Sequence, residues 1–158
     1  MTIYTIEPAV PGDAQYVAGN VRKAERLEAD AVYAGRLSAR QATLIAAAAS
    51  RNTAVGKADR VPICVFGVVP PPSLGRQVWV PWFVATGELS QHALPFLRRC
   101  RPVIEAWRQE YPVMENFVDA RNRTSVQWLR WLGFEIGEPK PYGERQLPFH
   151  KFSMGGER

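Results

Sequence analysis

The first third of the chain passes from a strand-like pattern of apolar and polar residues to a helical one. Residues 3–7 alternate apolar and polar side chains and stop at a proline, which is typical of a short strand. Asp13 is a suitable helix cap, and the helical spacing of charged residues continues through VRKAERLEADAV. Ser38 is predicted to begin another helix over about 38–50, ended by Asn52.

The middle of the chain is predicted to form three strands. TAVGKAD and PICVFGVV have the composition of two strands, joined by a tight turn near residues 59–60. VWVPWFVAT, residues 78–86, is apolar throughout, which indicates a strand buried on both faces. Because Pro81 in this run cannot donate to a ladder, it predicts a bulge or a point where the strand parts from a neighbour.

The last third alternates helices with strands. The spacing predicts a helix over 93–110, a strand in VMENFVDA, a helix in NRTSVQWLRWLGF, and closing strands in FEIG and FHKFSM. An early antiparallel meander followed by alternating helices and strands predicts an α/β fold with a mixed sheet. We expect one domain over residues 1–158.

The helix in residues 122–134 has sound caps and an unusual inward face. The Asn122 side chain can accept from the Ser125 N–H, and Gly133 suits the left-handed position after the last turn. Asn122 and Ser125 project to the same side as Val126 and Leu129. Small polar groups on the inward side of a helix N-terminus leave room for an anion or for a carbonyl that needs donors.

Composition adds few constraints. The chain has 158 residues, of which 46% are hydrophobic and 22% charged, as in ordinary globular domains. The net charge of +5 permits an anionic partner such as a nucleotide cofactor or nucleic acid, although the charge is scattered. Cys64 and Cys100 lack metal-ligand spacing, so we expect no metal, and reduced thiols in the cytoplasm. No signal peptide or membrane-spanning run is predicted.

Several blocks of the sequence resemble a known family. The pattern that ends in Leu-Gly-Phe, carried by Asn122, Ser125, Leu132, Gly133 and Phe134, resembles the last conserved block of the GNAT-type N-acetyltransferases. More narrowly, IEPAVPGDAQYVAGNVRKAERLE, PFLRRCRPVIEAW, YPVMENFVDARN and WLRWLGF resemble a tailed-phage branch, the internal virion protein A-like acetyltransferases. The resemblance covers the whole chain and implies a GNAT-like fold with splayed central strands.

The resemblance also implies acetyl-CoA as the cofactor. In such folds the pantetheine arm enters the gap beside the third long strand and adds to the sheet through backbone hydrogen bonds. The implied cofactor-binding residues lie on that strand, on the loop after it and at the start of the later helix. They are Val84, Ala85, Thr86, Gly87, Ser90, Gln91, His92, Asn122 and Ser125.

The sequence departs from the family pattern at three functional positions. TGELSQHA, residues 86–93, stands where the phosphate loop usually has Gly-x-Gly, and it holds one glycine. Leu129 stands where many members carry a tyrosine that protonates the leaving thiolate. In the family, the strand that corresponds to residues 78–86 often bears a glutamate that acts as a base. Here this strand contains no carboxylate.

Three other residues are candidates for acid–base chemistry. Glu115 and Asp119 share one face of VMENFVDA, and either could serve as a general base through water. The alternatives are a structural or surface charge for Glu115 and a brace of the following turn for Asp119. Tyr142 in KPYGER could replace the missing acid, or pack as a surface tyrosine. His92, already named for the cofactor, could bind phosphate or act as a base, or merely neighbour the helix cap.

Three functions stay open at this point. The first is a phage-encoded, acetyl-CoA-dependent N-acetyltransferase acting on a protein amine, a small amine or an aminoacyl-tRNA. The second is a non-catalytic virion or assembly protein on the same fold, with phage structural or host proteins as partners. The third is a nucleic-acid-binding protein that uses the stripe of Arg123, Gln127 and Arg130. We expect a location in the host cytoplasm or the virion, with a homodimer as one option.

Overall fold

The computed structural model describes residues 1–156, which form five α-helices, eight strands and a 3₁₀-helix. The helices are α1 Pro11–Gly19, α2 Lys23–Tyr33, α3 Ala39–Ala49, α4 Ala93–Glu110 and α5 Arg123–Trp131. The strands are β1 Tyr4–Pro8, β2 Arg51–Ala58, β3 Val61–Val69, β4 Val80–Ala85, β5 Val113–Asp119, β6 Glu135–Ile136, β7 Lys140–Tyr142 and β8 Leu147–Gly155. The 3₁₀-helix, Gly87–Gln91, connects β4 to α4.

The strands form two four-stranded sheets that meet edge to edge. The first sheet is an antiparallel meander in the order β1-β2-β3-β4, as predicted. Asp59 and Arg60 form the turn between β2 and β3 with φ of 47° and 71°, values that match the twist of a hairpin. In the second sheet β8 is central, with β5 on one side and with β6 and β7 on the other. β7 lies between the two predicted closing strands, where no strand was predicted.

Helices cover both faces of this pair of sheets. On one face α1 and α3 pack against each other and against β3, and α2 packs on α3. On the other face α4 buries an apolar stripe against the sheets, and α5 adds to the same core. The stripe consists of Phe96, Cys100, Ile104 and Trp107. The predicted mixed α/β arrangement is confirmed.

Several helix boundaries differ from the prediction. Val10, not Asp13, is the N-cap of α1, because Pro11 occupies the first helical position; the Asp13 carboxylate accepts from the Val10 N–H at 2.9 Å. The first predicted helix is two helices, since the chain turns between α1 and α2. Ser38 caps α3 as predicted, but Asn52 belongs to β2, where it has a φ of 53°.

Both cysteines, Cys64 and Cys100, are buried and unpaired. Among the helices that the model describes, none is both long enough and apolar enough to cross a membrane.

Candidate functional site at the gap between β4 and β5

The two sheets part between β4 and β5, and the parting begins at Pro81. At the closed end, the Trp79 N–H donates to the Val113 carbonyl at 2.9 Å and the Trp79 carbonyl accepts from the Glu115 N–H at 3.0 Å. Pro81 is the next residue of β4 on this side, and it has no N–H to continue the ladder. Its carbonyl accepts instead from the Asn116 side-chain amide at 2.8 Å. The prediction that the strand parts at Pro81 is confirmed.

Beyond this proline, β4 carries backbone groups that β5 does not pair. Alternate residues of an antiparallel strand direct their N–H and C=O to the same side. The even-numbered residues of β4 face β3, since the Thr86 N–H donates to the Ile63 carbonyl at 2.8 Å. Phe83 and Ala85 therefore face the gap. The Ala85 carbonyl accepts from the Arg22 N–H at 3.0 Å, which leaves the Phe83 N–H and C=O and the Ala85 N–H directed towards the gap.

This alternation changes which residues can hydrogen-bond a ligand along the strand. Val84 lies opposite Val65 in the β3 ladder, and the Thr86 N–H is already bonded to β3. Neither of these two predicted residues offers a free backbone N–H to the gap, whereas Ala85 does. Phe83 is missing from the prediction, although counting alternate positions from Pro81 would have found it.

A cavity of about 390 Å³ runs through the gap and is lined from both faces of the sheets. Asn122 and Ser125 line it from α5, and the Asn122 side chain accepts from the Ser125 N–H at 3.2 Å. Gly133 adopts a φ of 103° just after the helix. The predicted caps of α5 and the inward placement of the two polar residues are confirmed, while their binding of a cofactor stays a prediction.

Glu28 of α2 supplies the cavity with a carboxylate that the sequence patterns do not reveal. Its Oε1 accepts from the Asp119 N–H at 3.0 Å. Desolvation by burial raises the pKa of Glu28 to about 7; the charges of Glu25 and Asp119 add to this rise, and the hydrogen bond from the Asp119 N–H opposes it. A carboxylate with this pKa can accept and release protons at neutral pH.

Arg22 connects the α1–α2 turn to both sides of the gap. Its Nε donates to Glu25 at 2.7 Å, and its Nη2 donates to the Ser125 hydroxyl at 3.3 Å. Its guanidinium lies over the Trp128 ring, 5.7 Å from the centroid. Burial raises the pKa of Glu25, against the hydrogen bond from Arg22. Among the described residues, no lysine or arginine forms an ion pair with Glu28. The charge of Glu28 is therefore less neutralised than that of Glu25, which is paired with Arg22.

The two predicted bases on β5 are held in ion pairs outside the cavity lining. Glu115 lies 2.7 Å from Arg76 and 3.2 Å from Lys151. Desolvation raises the pKa of Glu115, but hydrogen bonds from these two cations outweigh it and the net pKa falls below the ordinary value. Asp119 is 2.7 Å from Arg121 and also accepts from the Arg121 N–H, which braces the turn into α5. Both geometries match the structural alternatives stated for these residues.

Tyr142 does line the cavity. Its ring stacks on Phe117 with centroids 4.1 Å apart and lies 5.1 Å from the ring of Phe149. Burial raises the pKa of Tyr142, with the nearby Tyr33 and Glu28 adding to the rise. Its position fits an acid or a wall of the substrate cavity, and its role as an acid stays a prediction.

The loop after β4 offers fewer amides than the prediction assumed. Gly87–Gln91 forms a 3₁₀-helix, whose i to i+3 bonds engage the amides of Ser90 and Gln91. The His92 N–H donates to the Leu89 carbonyl at 2.9 Å, and the His92 ring shares a 2.7 Å hydrogen bond with the Tyr4 hydroxyl. His92 is itself the N-cap residue of α4, and its binding of phosphate stays a prediction. The amides at the start of α4, residues 93–94, are the ones with no partner inside the helix.

The fold around this gap is shared with solved acetyltransferases. The Salmonella typhimurium protein yncA, described as an acetyltransferase and solved with its cofactor acetyl-CoA, is 16% identical, with a TM-score of 0.70 over 98% of this chain and 95% of that one. A GCN5-related N-acetyltransferase from Kribbella flavida gives a TM-score of 0.70 at 15% identity, over 97% and 98% of the two chains. The ribosomal-protein-S5-alanine acetyltransferase of Vibrio fischeri gives 0.66 at 15% identity, over 99% and 97%.

These likenesses establish the fold class. The chain has the fold of the GNAT-family acetyltransferases, as its sequence resemblance implied. No family model matches the sequence, and no curated protein does.

Proposed function

We propose that the protein is an acetyl-CoA-dependent N-acetyltransferase that transfers an acetyl group to an amine acceptor. The observation that carries the proposal is the edge of β4 beyond Pro81. There, the N–H and C=O of Phe83 and the N–H of Ala85 are directed towards the gap, and Phe83 lines a cavity that crosses the sheet. Unpaired backbone groups along a strand edge are the element that binds an extended ligand by strand addition.

The residues present fit acetyl-CoA better at its pantetheine arm than at its phosphates. The arm would be held by the free groups of Phe83 and Ala85, with Asn122 and Ser125 forming the opposite wall. The phosphates would meet the first amides of α4. When bound, acetyl-CoA supplies a thioester whose carbonyl carbon forms the new C–N bond as its C–S bond breaks, and CoA leaves as the thiolate.

Glu28 is the residue we assign as general base. It lines the cavity, and its raised pKa lets it take the proton that an acceptor ammonium must lose before its nitrogen can attack. The other candidate, Glu115, is held in two ion pairs outside the cavity lining. Tyr142 lies on the Glu28 side and is our candidate for returning a proton to the leaving group.

We infer a phage origin from the sequence blocks alone. The blocks that resemble the internal virion protein A-like branch support a location in the host cytoplasm or in the virion. The alternative function, a non-catalytic virion or assembly protein on the GNAT fold, is favoured by the phosphate loop, since Gly87–Gln91 is a 3₁₀-helix without Gly-x-Gly.

A thermal-unfolding titration with acetyl-CoA and with free CoA tests the proposed cofactor. A ligand at about 100 times its dissociation constant adds roughly 2.7 kcal/mol of stability. We expect a saturable rise in the unfolding midpoint with both compounds. No rise at millimolar ligand would contradict the proposal and favour the assembly protein.

Two variants on α5 test whether the ligand that raises the unfolding midpoint binds in the gap. Ser125→Trp fills the cavity beside Asn122, so we expect it to abolish the ligand-dependent rise. Gln127→Trp places the same side chain on the exposed face of the same helix and should preserve the rise. Loss of the rise in both variants, or in neither, would place the ligand elsewhere.

A further inference from the structure

The cavity has two halves, and the half facing α2 and α3 has its own chemistry. The side chains of Trp82 and Val84 point to this face, where they pack on the cluster of Val17, Val55 and Val65. The side chain of Phe83 points to the opposite face, into the core that α4 builds. A ligand on the β4 edge would therefore reach the α2–α3 half through the gap, which leaves this half as space for an acceptor.

Aromatic rings form the wall of this half on the side of the second sheet. Phe117 and Tyr142 stack at 4.1 Å with an interplanar angle of 16°, and Phe149 continues the cluster at 5.1 Å from Tyr142. Tyr33 adds a further ring to the lining from the end of α2. Such faces bind apolar groups and attract a cation through the ring quadrupole.

The helical wall is made of small side chains. Three alanines of α3 line the cavity, together with Ala29 of α2. They are Ala39, Ala42 and Ala46. Side chains of this size leave the space open, and the hydroxyl of Thr43, which also lines the cavity from α3, already donates to the Ala39 carbonyl at 2.7 Å. An acceptor that fills this space should therefore be apolar along most of its length.

The charge balance of the lining admits one positive charge. Arg22 is the one lysine or arginine among the described residues that line the cavity, and it is paired with Glu25. Glu28 has no such ion pair and faces the same space as Tyr33 and Tyr142. A second ammonium on the acceptor would lie against apolar side chains without a partner, which is costly.

We propose that the acceptor is a small monoamine whose single ammonium is joined by a short chain to an aromatic or branched apolar group. The ammonium lies against Glu28, and the apolar group lies between the Phe117–Tyr142 stack and the alanines of α3. This assignment rests on the proposed acetyltransferase function. It excludes polyamines and other polycationic acceptors from this cavity.

Calorimetric binding of probe amines to the purified protein, with and without free CoA, tests the assignment. We expect saturable binding of phenethylamine. Phenethyl alcohol lacks the charge and spermidine carries several, so both should bind at least about tenfold more weakly. Tighter binding of spermidine, or of a peptide with a free α-amine, would overturn the assignment.

Variants locate the binding. Glu28→Gln should weaken phenethylamine by about tenfold and leave phenethyl alcohol unchanged. Ala42→Trp fills the cavity from α3 and should abolish binding of both probes, whereas Ala48→Trp, exposed on the same helix, should not. Binding that survives Ala42→Trp would place the amine outside this cavity.

The same samples separate failure of the acceptor class from failure of the proposed function. If CoA binds and phenethylamine does not, with or without CoA, the monoamine assignment is wrong and the acetyltransferase proposal stands. If neither CoA nor phenethylamine binds, both are wrong.

Discussion

The environment of Glu28 departs from what its sequence context indicates. In KAERLEADAV it belongs to an ordinary run of charges at helical spacing, the pattern of a solvated helix face. Folding brings the Asp119 N–H and the Glu25 carboxylate to it and buries it in part. Its candidacy as a base depends on contacts between residues about ninety positions apart, so no local pattern could reveal it.

The raised pKa of Glu28 predicts a pH dependence of acetyl transfer. A general base must be ionised, so the rate should rise with pH through an inflection near 7, where Glu28 loses its proton. Glu28→Gln should lower kcat/KM roughly 10²–10⁴-fold and remove the inflection. The release of the CoA thiol with an acetylated amine measures the rate, and Glu105→Gln, exposed on α4, is the matched control.

Glu115 gives the opposite expectation, which makes the test decisive. Ion pairs with Arg76 and Lys151 keep the pKa of Glu115 below its ordinary value, so a base at Glu115 would be ionised throughout the range from about pH 6 to 9 and would produce no inflection near 7. A carboxyl ¹³C titration by NMR checks the assignment without any acceptor. A Glu28 resonance that titrates near 4 would contradict it.

At the scale of elements, the turn between β7 and β8 positions Tyr142 against α2. The Glu144 N–H donates to the Val32 carbonyl at 2.9 Å, and the Arg145 N–H donates to the Ala31 carbonyl at 3.2 Å. Gly143 adopts a φ of 74° at the point of closest approach. These contacts join the second sheet to α2 and set the width of the aromatic half of the cavity.

Gly143→Ala should open this junction. A Cβ at residue 143 would lie 2.7 Å from the Val32 Cα and 2.9 Å from the Ala31 carbonyl oxygen, both backbone atoms that cannot rotate away. We expect a lower unfolding midpoint and weaker phenethylamine binding. Gly35→Ala is the matched control, because Gly35 also has a positive φ, 87°, but has open space around it. Equal effects of the two substitutions would mean that backbone strain alone is responsible and that the junction is not close-packed.

The elements differ in how far the sequence predicts them. The boundaries of α4 and the caps of α5 follow from local signals, namely apolar spacing, Asn122 and Gly133. The break between α1 and α2 does not, since charged residues at helical spacing run across it. β7 is three residues long and pairs only with β8, so tertiary contacts rather than local preference decide it.

Across the whole molecule, two sheets are joined at one end and separated at the other. The described backbone hydrogen bonds to β5 end at Trp79, the residue before β4, and the Asn116 amide adds one side-chain bridge to Pro81. The sequence predicts where the strands part, because Pro81 is a local signal. It does not predict what covers the gap, because Arg22 in the turn before α2 and Glu28 within α2 lie far from β4 and β5 in the chain.

A ligand that hydrogen-bonds to the free edge of β4 should slow amide hydrogen exchange at alternate residues of the strand. NMR measures this exchange residue by residue. On addition of acetyl-CoA we expect exchange of the Phe83 amide to slow by at least about tenfold, with a smaller change at Ala85, which is already buried. The amides of Trp82 and Val84 already face β3 and should exchange slowly with or without ligand.

The alternation distinguishes edge binding from general stiffening. A ligand that only tightens the fold would slow exchange at Trp82 and Val84 as much as at Phe83, because opening of the strand exposes all of them together. A ligand hydrogen-bonded to the edge changes the odd-numbered positions first. Protection of Phe83 in the free protein would mean that its amide already has a partner, and the gap would then be no site for strand addition. Ser125→Trp should remove the alternating change, and Gln127→Trp should retain it.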